Sequence, residues 1–160
     1  MQIGVLSDSH GHVEYTRAAV RVLETLGVDA VLHCGDIGAP EIVPLFAAWP
    51  AHFVFGNVDQ HEADLRWAIE RASQTCHGRF GSLELGGRRI ALLHGDDGER
   101  LIETIDSGRY DLVCYGHTHR AEHHWQEGTL VLNPGALYRA TPHSFAVVEL
   151  SSMDVTSITL

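Results

Sequence analysis

Five times along this chain a short apolar run stops at a polar, ligand-type side chain that lies beside glycine. Gln2–Leu6 runs into Asp8-Ser9-His10-Gly11, Ala30–Cys34 into Gly35-Asp36, and Ala51–Phe55 into Gly56-Asn57. Arg88–Leu93 runs into His94-Gly95, and Asp111–Tyr115 into Gly116-His117-Thr118-His119. Runs of this length and composition predict short buried strands. Residues two apart in an extended chain point to the same side, so Asp8 and His10 converge just past the first strand. A carboxylate oxygen and an imidazole nitrogen on one spot suit an intermediate divalent ion. In open α/β sheets, ligand sites form beyond the carboxyl ends of the strands. Here those ends bring two carboxylates, one amide and four imidazoles, with glycines that permit sharp turns and close approach. One such tip reads as an ordinary polar loop; five in succession read as one site.

Helices separate the first strands. Val13, Ala18, Val20, Leu23 and Leu26 fall near helical spacing and Gly27 suits the C-terminal stop. Pro40 opens a short helix that Pro44 kinks, and Glu62–Ser73 predicts another, with Leu65, Ala68, Ile69 and Ala72 inward. This β-α-β-α-β-α order argues for parallel strands. The second half differs. Arg79–Leu85 and Arg88–Leu93 flank Gly86-Gly87, a hairpin signal. Gly98–Ser107 predicts a short helix stopped by Gly108, and Ala121–Trp125 with Thr129–Leu132 a second hairpin about Glu127-Gly128. Asn133-Pro134-Gly135 reads as a turn, and Ser144–Leu150 with Val155–Leu160 as a final antiparallel pair. The expected fold is α/β: two sheets packed face to face with helices outside, in one domain over residues 1–160.

Composition narrows the function. The chain has 160 residues, 44% of them apolar, enough for a sizeable core. Its net charge is −10, its eleven basic residues are all Arg, and none of them forms a basic run. That disfavours a protein that reads a nucleic-acid backbone. No apolar stretch reaches membrane-spanning length, and no basic residue precedes the first apolar segment, so neither a span nor a secretory leader is expected. Cys34, Cys76 and Cys114 form no C-x-x-C and no even set, which points to a reducing cytoplasm. The twelve histidines are the unusual feature.

In this order D-x-H, GD, GN-x-D, HG and GHTH, spanning Asp8 to His119, resemble the calcineurin-like metallophosphoesterases. They are most similar to the small single-domain phosphodiesterases of bacteria and archaea, and Asn133-Pro134-Gly135 suits that group. The resemblance implies a four-layer α/β/β/α sandwich with two mixed sheets and a site for two divalent ions. It assigns Asp8, His10, Asp36 and His119 to one ion and Asp36, Asn57, His94 and His117 to the other, with Asp36 bridging. Asp36, Asn57, His94 and His117 form the catalytic centre it implies. The chemistry is self-consistent, since two ions about 3.5–4 Å apart clamp the attacking and leaving oxygens of an in-line displacement, and a metal-bridging hydroxide is the nucleophile. Two divalent ions outweigh two carboxylates and a hydroxide by about one charge, so an acidic protein still attracts a small phosphate ester. Nitrogen and oxygen ligands suit Mn²⁺ first, with Fe, Co²⁺, Ni²⁺ or Zn²⁺ as alternatives. Relatives suggest a homo-oligomer.

One position departs from the pattern. Many relatives carry His after the GN asparagine, where it protonates the leaving group; here it is Val58. Substrates with good leaving groups, such as aryl esters, are then favoured. Substitute acids are His10, His61 and His33, the last read also as a buried histidine and His61 as a solvated one. Asp59 reads as a helix cap, and Asp96 either as a partner of His94 or as a cap. Arg120 grips a substrate oxygen or forms a surface salt bridge, and Asn57 also faces substrate. His12, His123, His124 and His143 read as surface residues, and Trp49, Trp67 and Trp125 as core or half-buried packing. The rival reading is a non-catalytic scaffold on the same fold, as in a retromer coat subunit. A larger-substrate nuclease lacks the added domains and basic surface it needs.

Overall fold

In the computed structural model, which describes residues 1–160, the apolar runs form two sheets. The first half supplies β1 (Gln2–Leu6), α1 (Val13–Leu26), β2 (Ala30–His33), a 3₁₀ helix (Pro40–Phe46), β3 (Ala51–Phe53), α2 (Glu62–Arg71) and β4 (Thr75–Cys76). The second supplies β5 (Phe80–Leu85), β6 (Arg88–Leu93), α3 (Gly98–Asp106), β7 (Leu112–Cys114), β8 (Ala121–Gln126), β9 (Thr129–Pro134), β10 (Ser144–Glu149) and β11 (Asp154–Thr159). The six-stranded sheet has the order β11-β10-β1-β2-β3-β4 and the five-stranded sheet β5-β6-β7-β9-β8. Both are mixed.

Side-chain alternation sets the layers. Along β1, Ile3 and Val5 point between the sheets, where they meet Leu92, Leu112, Cys114 and Leu132. Leu6 points the other way, into a core built with Leu23 of α1, Phe46 of the 3₁₀ helix and Ile69 of α2. A smaller cluster, Ala91, Leu93, Val113 and Val131, packs beneath Leu101 and Ile105 of α3. The order is therefore helices, sheet, sheet, helix, the four-layer α/β/β/α sandwich expected. Gly4 lies where α1 crosses β1, and a methyl group there would come within 2.6 Å of a Leu23 methyl.

Several local expectations change. The last hairpin, β10–β11, crosses over to the first sheet and pairs antiparallel with β1, while β6, β7 and β9 are parallel in the second. The simple division into a parallel first half and an antiparallel second half does not hold. The segment at Pro40 is 3₁₀ because Pro44 has no N–H to give and its ring crowds the carbonyl four residues back. Asn133 and Pro134 belong to β9, and the turn starts at Gly135, whose φ of 81° is left-handed. Trp49 is buried as expected, but Trp67 and Trp125 are 61% and 58% exposed. The Arg71 guanidinium lies 5.1 Å from the Trp67 ring centroid. This separates the two kinds of aromatic energetically. Replacing buried Phe46 with Ala should cost about 3–5 kcal/mol in denaturant unfolding, whereas Trp67→Ala should cost less than about 1 kcal/mol. Equal losses would contradict the layer assignment.

Candidate metal centre

The carboxyl ends of β1, β2 and β3 in one sheet and of β6 and β7 in the other meet at one end of the sandwich. The loops there keep pairing after the strands stop. Asp8 N–H donates to Gly35 O at 3.0 Å, His10 N–H to Asp36 O at 2.9 Å and Gly116 N–H to His94 O at 2.9 Å. The backbone then turns so that Asp8, His10, Asp36, His117 and His119 all hold positive φ, between 46° and 66°. Left-handed backbone at a residue with a Cβ costs about 1 kcal/mol or more, and such strain collects at functional sites. Glycines give the remaining room: a Cβ on Gly56 would stand 2.1 Å from Asp36 Oδ1, and one on Gly116 2.7 Å from Asp8 Oδ2.

All seven residues singled out from the sequence come together. Asp36 Oδ2 lies 3.8 Å from His10 Nε2 and 3.3 Å from His94 Nε2, so one oxygen faces both halves of the cluster. In one half, Asp8 Oδ1 lies 3.0 Å from His119 Nε2 and 3.7 Å from His10 Nε2. In the other, Asn57 Oδ1 lies 3.1 Å from both His94 Nε2 and His117 Nδ1. Ligand atoms of Asp8, His10 and His119 lie within 4.8 Å of one another, as do those of Asp8, Asp36 and His94. The carboxylates and His94 are buried, while Asn57 and His117 face solvent.

The tautomers decide what this gap can hold. His94 Nδ1 lies 2.9 Å from Cys34 O, and His119 Nδ1 3.1 Å from Arg139 O. A carbonyl only accepts, so both Nδ1 atoms carry the proton, and in the neutral rings both Nε2 lone pairs point at carboxylate or amide oxygens. Lone pairs aimed at lone pairs require positive charge between them. Asp8 Oδ1 is buried and has no hydrogen-bond partner even with a ring nitrogen at 3.0 Å. The donor set of nitrogen, carboxylate and amide fits divalent transition ions. The protonation equilibria express the same demand. Burial pushes the Asp36 carboxyl up, but His94, the Val58 N–H and the charge on His10 outweigh it and hold it low. Burial pushes His94 down, but Asp36 and Asp8 reverse this and raise it. Asp8 is likewise held low despite burial, through His10, Ser7 and the charges of His94 and His119.

Three supports around the cluster differ from expectation. Asp59 does not cap α2. It is buried, and its carboxylate accepts from Gly56 N–H at 2.8 Å, Gly38 N–H at 2.8 Å and Ile37 N–H at 3.2 Å, tying the Asp36 loop to the Asn57 loop. Burial, the larger effect, raises its carboxyl even against these three donors. Asp96 neither orients His94 nor caps α3; it lies 3.7 Å from Arg79, and Asp97 is the cap. The orienting partner of His94 is the Cys34 carbonyl, which a sequence does not reveal. Val58 contributes its backbone, with N–H donating to Asp36 Oδ1 at 3.0 Å. Arg120 is exposed and forms no ion pair, and His61 is exposed at the start of α2. His12 and His143 are half-buried in an aromatic cluster rather than free on the surface.

Known proteins resemble this chain in sequence and fold. Residues 1–153 match the calcineurin-like phosphoesterase superfamily domain. The chain belongs to that superfamily, a class of phosphate-ester hydrolases that use divalent metals. A phosphodiesterase of Methanocaldococcus jannaschii is 32% identical to it over 138 residues, covering 84% of this chain and 83% of that protein. The solved structure of an archaeal phosphodiesterase superposes with a TM-score of 0.93 at 27% identity, over 100% of both chains. Vps29 of Entamoeba histolytica shares the fold at 22% identity, with a TM-score of 0.68 over 100% of this chain and 98% of that one. No helix is long and apolar enough to cross a membrane.

His33 lies behind the cluster, fully buried. Its Nδ1 accepts from Gly35 N–H at 3.3 Å, so Nε2–H donates to Ser9 Oγ at 2.9 Å, and Ser9 O–H donates to Ile37 O at 3.1 Å. Burial lowers its pKa to about 4. A second proton would break the chain of bonds, so the neutral form belongs to the folded state. The associated stability is complete above the unfolded value near 6.5 and is lost as pH falls from there towards 4. In NMR spectra the His33 ring should stay in the neutral Nε2–H tautomer down to about pH 5. A ring titrating near 6.5 would contradict the buried relay.

Proposed function

We propose that this chain, as one domain over residues 1–160, is a two-metal phosphoesterase acting on small phosphodiesters. The observation that carries the proposal is Asp36 Oδ2, which lies within 3.8 Å of His10 Nε2 and 3.3 Å of His94 Nε2. One ion would be held by Asp8, His10, Asp36 and His119, and the other by Asp36, Asn57, His94 and His117. Bound there, two divalent ions would supply acidification of a water and positive charge that offsets charge on the ester oxygens. Mn²⁺ is the proposed metal, and Fe, Co²⁺, Ni²⁺ or Zn²⁺ suit the same donors.

The protein's own groups do the rest. The Cys34 and Arg139 carbonyls hold His94 and His119 with Nε2 aimed inward. The Val58 N–H fixes Asp36 Oδ1, leaving Oδ2 turned between His10 and His94. Asn57 brings oxygen without charge, so the site stays attractive to an anion. Asn57 and His117 are exposed, which gives an ester direct access. Arg120 is free to grip a phosphate oxygen. His33 is fully buried with both nitrogens engaged and donates no proton to a leaving group. With valine at position 58, esters whose leaving group departs unprotonated are preferred.

The likeness to Vps29 concerns the fold, and a scaffold role would leave the cluster without turnover. With Mn²⁺ the protein should hydrolyse bis(para-nitrophenyl) phosphate, and Asp36→Ala or His117→Ala should each lower kcat/KM by at least about a thousandfold. Near-normal rates in both variants, or no metal-dependent hydrolysis by the unaltered protein, would overturn the proposal.

A further inference from the structure

Five aromatic rings cluster beside the Asp8–His10–His119 half of the site, with Tyr15 and Tyr138 themselves 6.4 Å apart between centroids. The His10 ring lies 6.4 Å from Tyr138 between centroids. Tyr138 stacks on His12 at 4.5 Å with planes 20° apart, and His12 stacks on Tyr15 at 4.6 Å. Tyr15 meets His143 at 3.9 Å. All five are half-buried, and neither tyrosine belongs to an apolar core cluster. These half-buried rings pack on one another beside the site and outside the apolar cores that hold the fold together.

The rings are also built into the site. Tyr138 N–H donates to Asp8 O at 3.1 Å, and the next carbonyl, of Arg139, accepts from His119 Nδ1 at 3.1 Å. Arg139 reaches that position with a left-handed φ of 56°. Its side chain is exposed, forms no ion pair, and places the guanidinium 5.9 Å from the Tyr138 centroid. One strained peptide thus sets a metal-ligand ring, a half-buried tyrosine ring and an unpaired cation side by side. An alkyl ester would use little of this. A nucleotide would use all of it, with its base against the rings and its phosphate between Arg139 and the ions.

We infer that the shelf formed by Tyr138, His12 and Tyr15, with Arg139 at its edge, binds the base of a nucleotide ester, so that phosphodiesters of nucleosides are the substrate class. This rests on the phosphoesterase reading above. Thymidine monophosphate and deoxyribose phosphate carry the same sugar and phosphate and differ in the base alone. On Zn²⁺-loaded protein, calorimetry should show the nucleotide binding about 10- to 100-fold more tightly, the size of one base–aromatic stack. Tyr138→Ala should reduce that ratio to within about twofold, and Tyr138→Phe should keep it. In the unaltered protein, the ring resonances of Tyr138 and His12 should move with the nucleotide and stay put with the sugar phosphate. Equal affinities and unmoved rings would overturn the shelf while metal-dependent hydrolysis of bis(para-nitrophenyl) phosphate persisted. Absence of that hydrolysis would remove the reading beneath it as well.

Discussion

The two oxygens of Asp36 are used differently, and the rest of the site follows from that division. Oδ1 takes the Val58 N–H, which stops the carboxylate from rotating. Oδ2 is then left facing His10 on one side and His94 on the other. A buried carboxylate facing two rings is unfavourable unless positive charge joins it. Because His94 is turned by the Cys34 carbonyl to present a lone pair, that charge is best supplied from outside the chain. The cluster is a set of acceptors held in mutual opposition, and the fold is what keeps them from relaxing apart.

Holding them has a cost that the surroundings offset. Five residues of the cluster sit in left-handed backbone. Asp59 clamps two of the loops through three backbone donors, and the His33–Ser9–Ile37 relay fixes a third from behind. Asn133 reaches from β9 to donate to Gly116 O at 2.7 Å and to Thr118 Oγ1 at 3.0 Å, steadying the GHTH turn. Strands β2 and β7 beneath are short but completely buried, so the loops that follow them stand on rigid strand ends.

The parts of this that a sequence exposes are the local ones. Strand tips that pair a ligand-type side chain with glycine stand out, and Gly86-Gly87 and Glu127-Gly128 mark their hairpins. What stays hidden depends on partners far away in the chain. The carboxylate of Asp59 looks like a cap because it precedes a helix, and its real partners lie up to 22 residues back. Asp96 and Asp97 are adjacent and chemically identical, and only the backbone decides which one caps α3. The orienting carbonyls of Cys34 and Arg139 belong to no motif, since every residue has a carbonyl. The return of β10 to pair with β1 is a non-local choice that neither strand announces. Trp67 and Trp125 show that large apolar side chains are not always inside.

The central claim is that one oxygen of Asp36 is shared by two cations. Crystals grown with Mn²⁺ and measured for anomalous scattering test it most directly. The account predicts two peaks about 3.5–4 Å apart. One should touch Asp8, His10 and His119, the other Asn57, His94 and His117, and Asp36 should lie on both. A single peak, or two with Asp36 turned away from either, would contradict it.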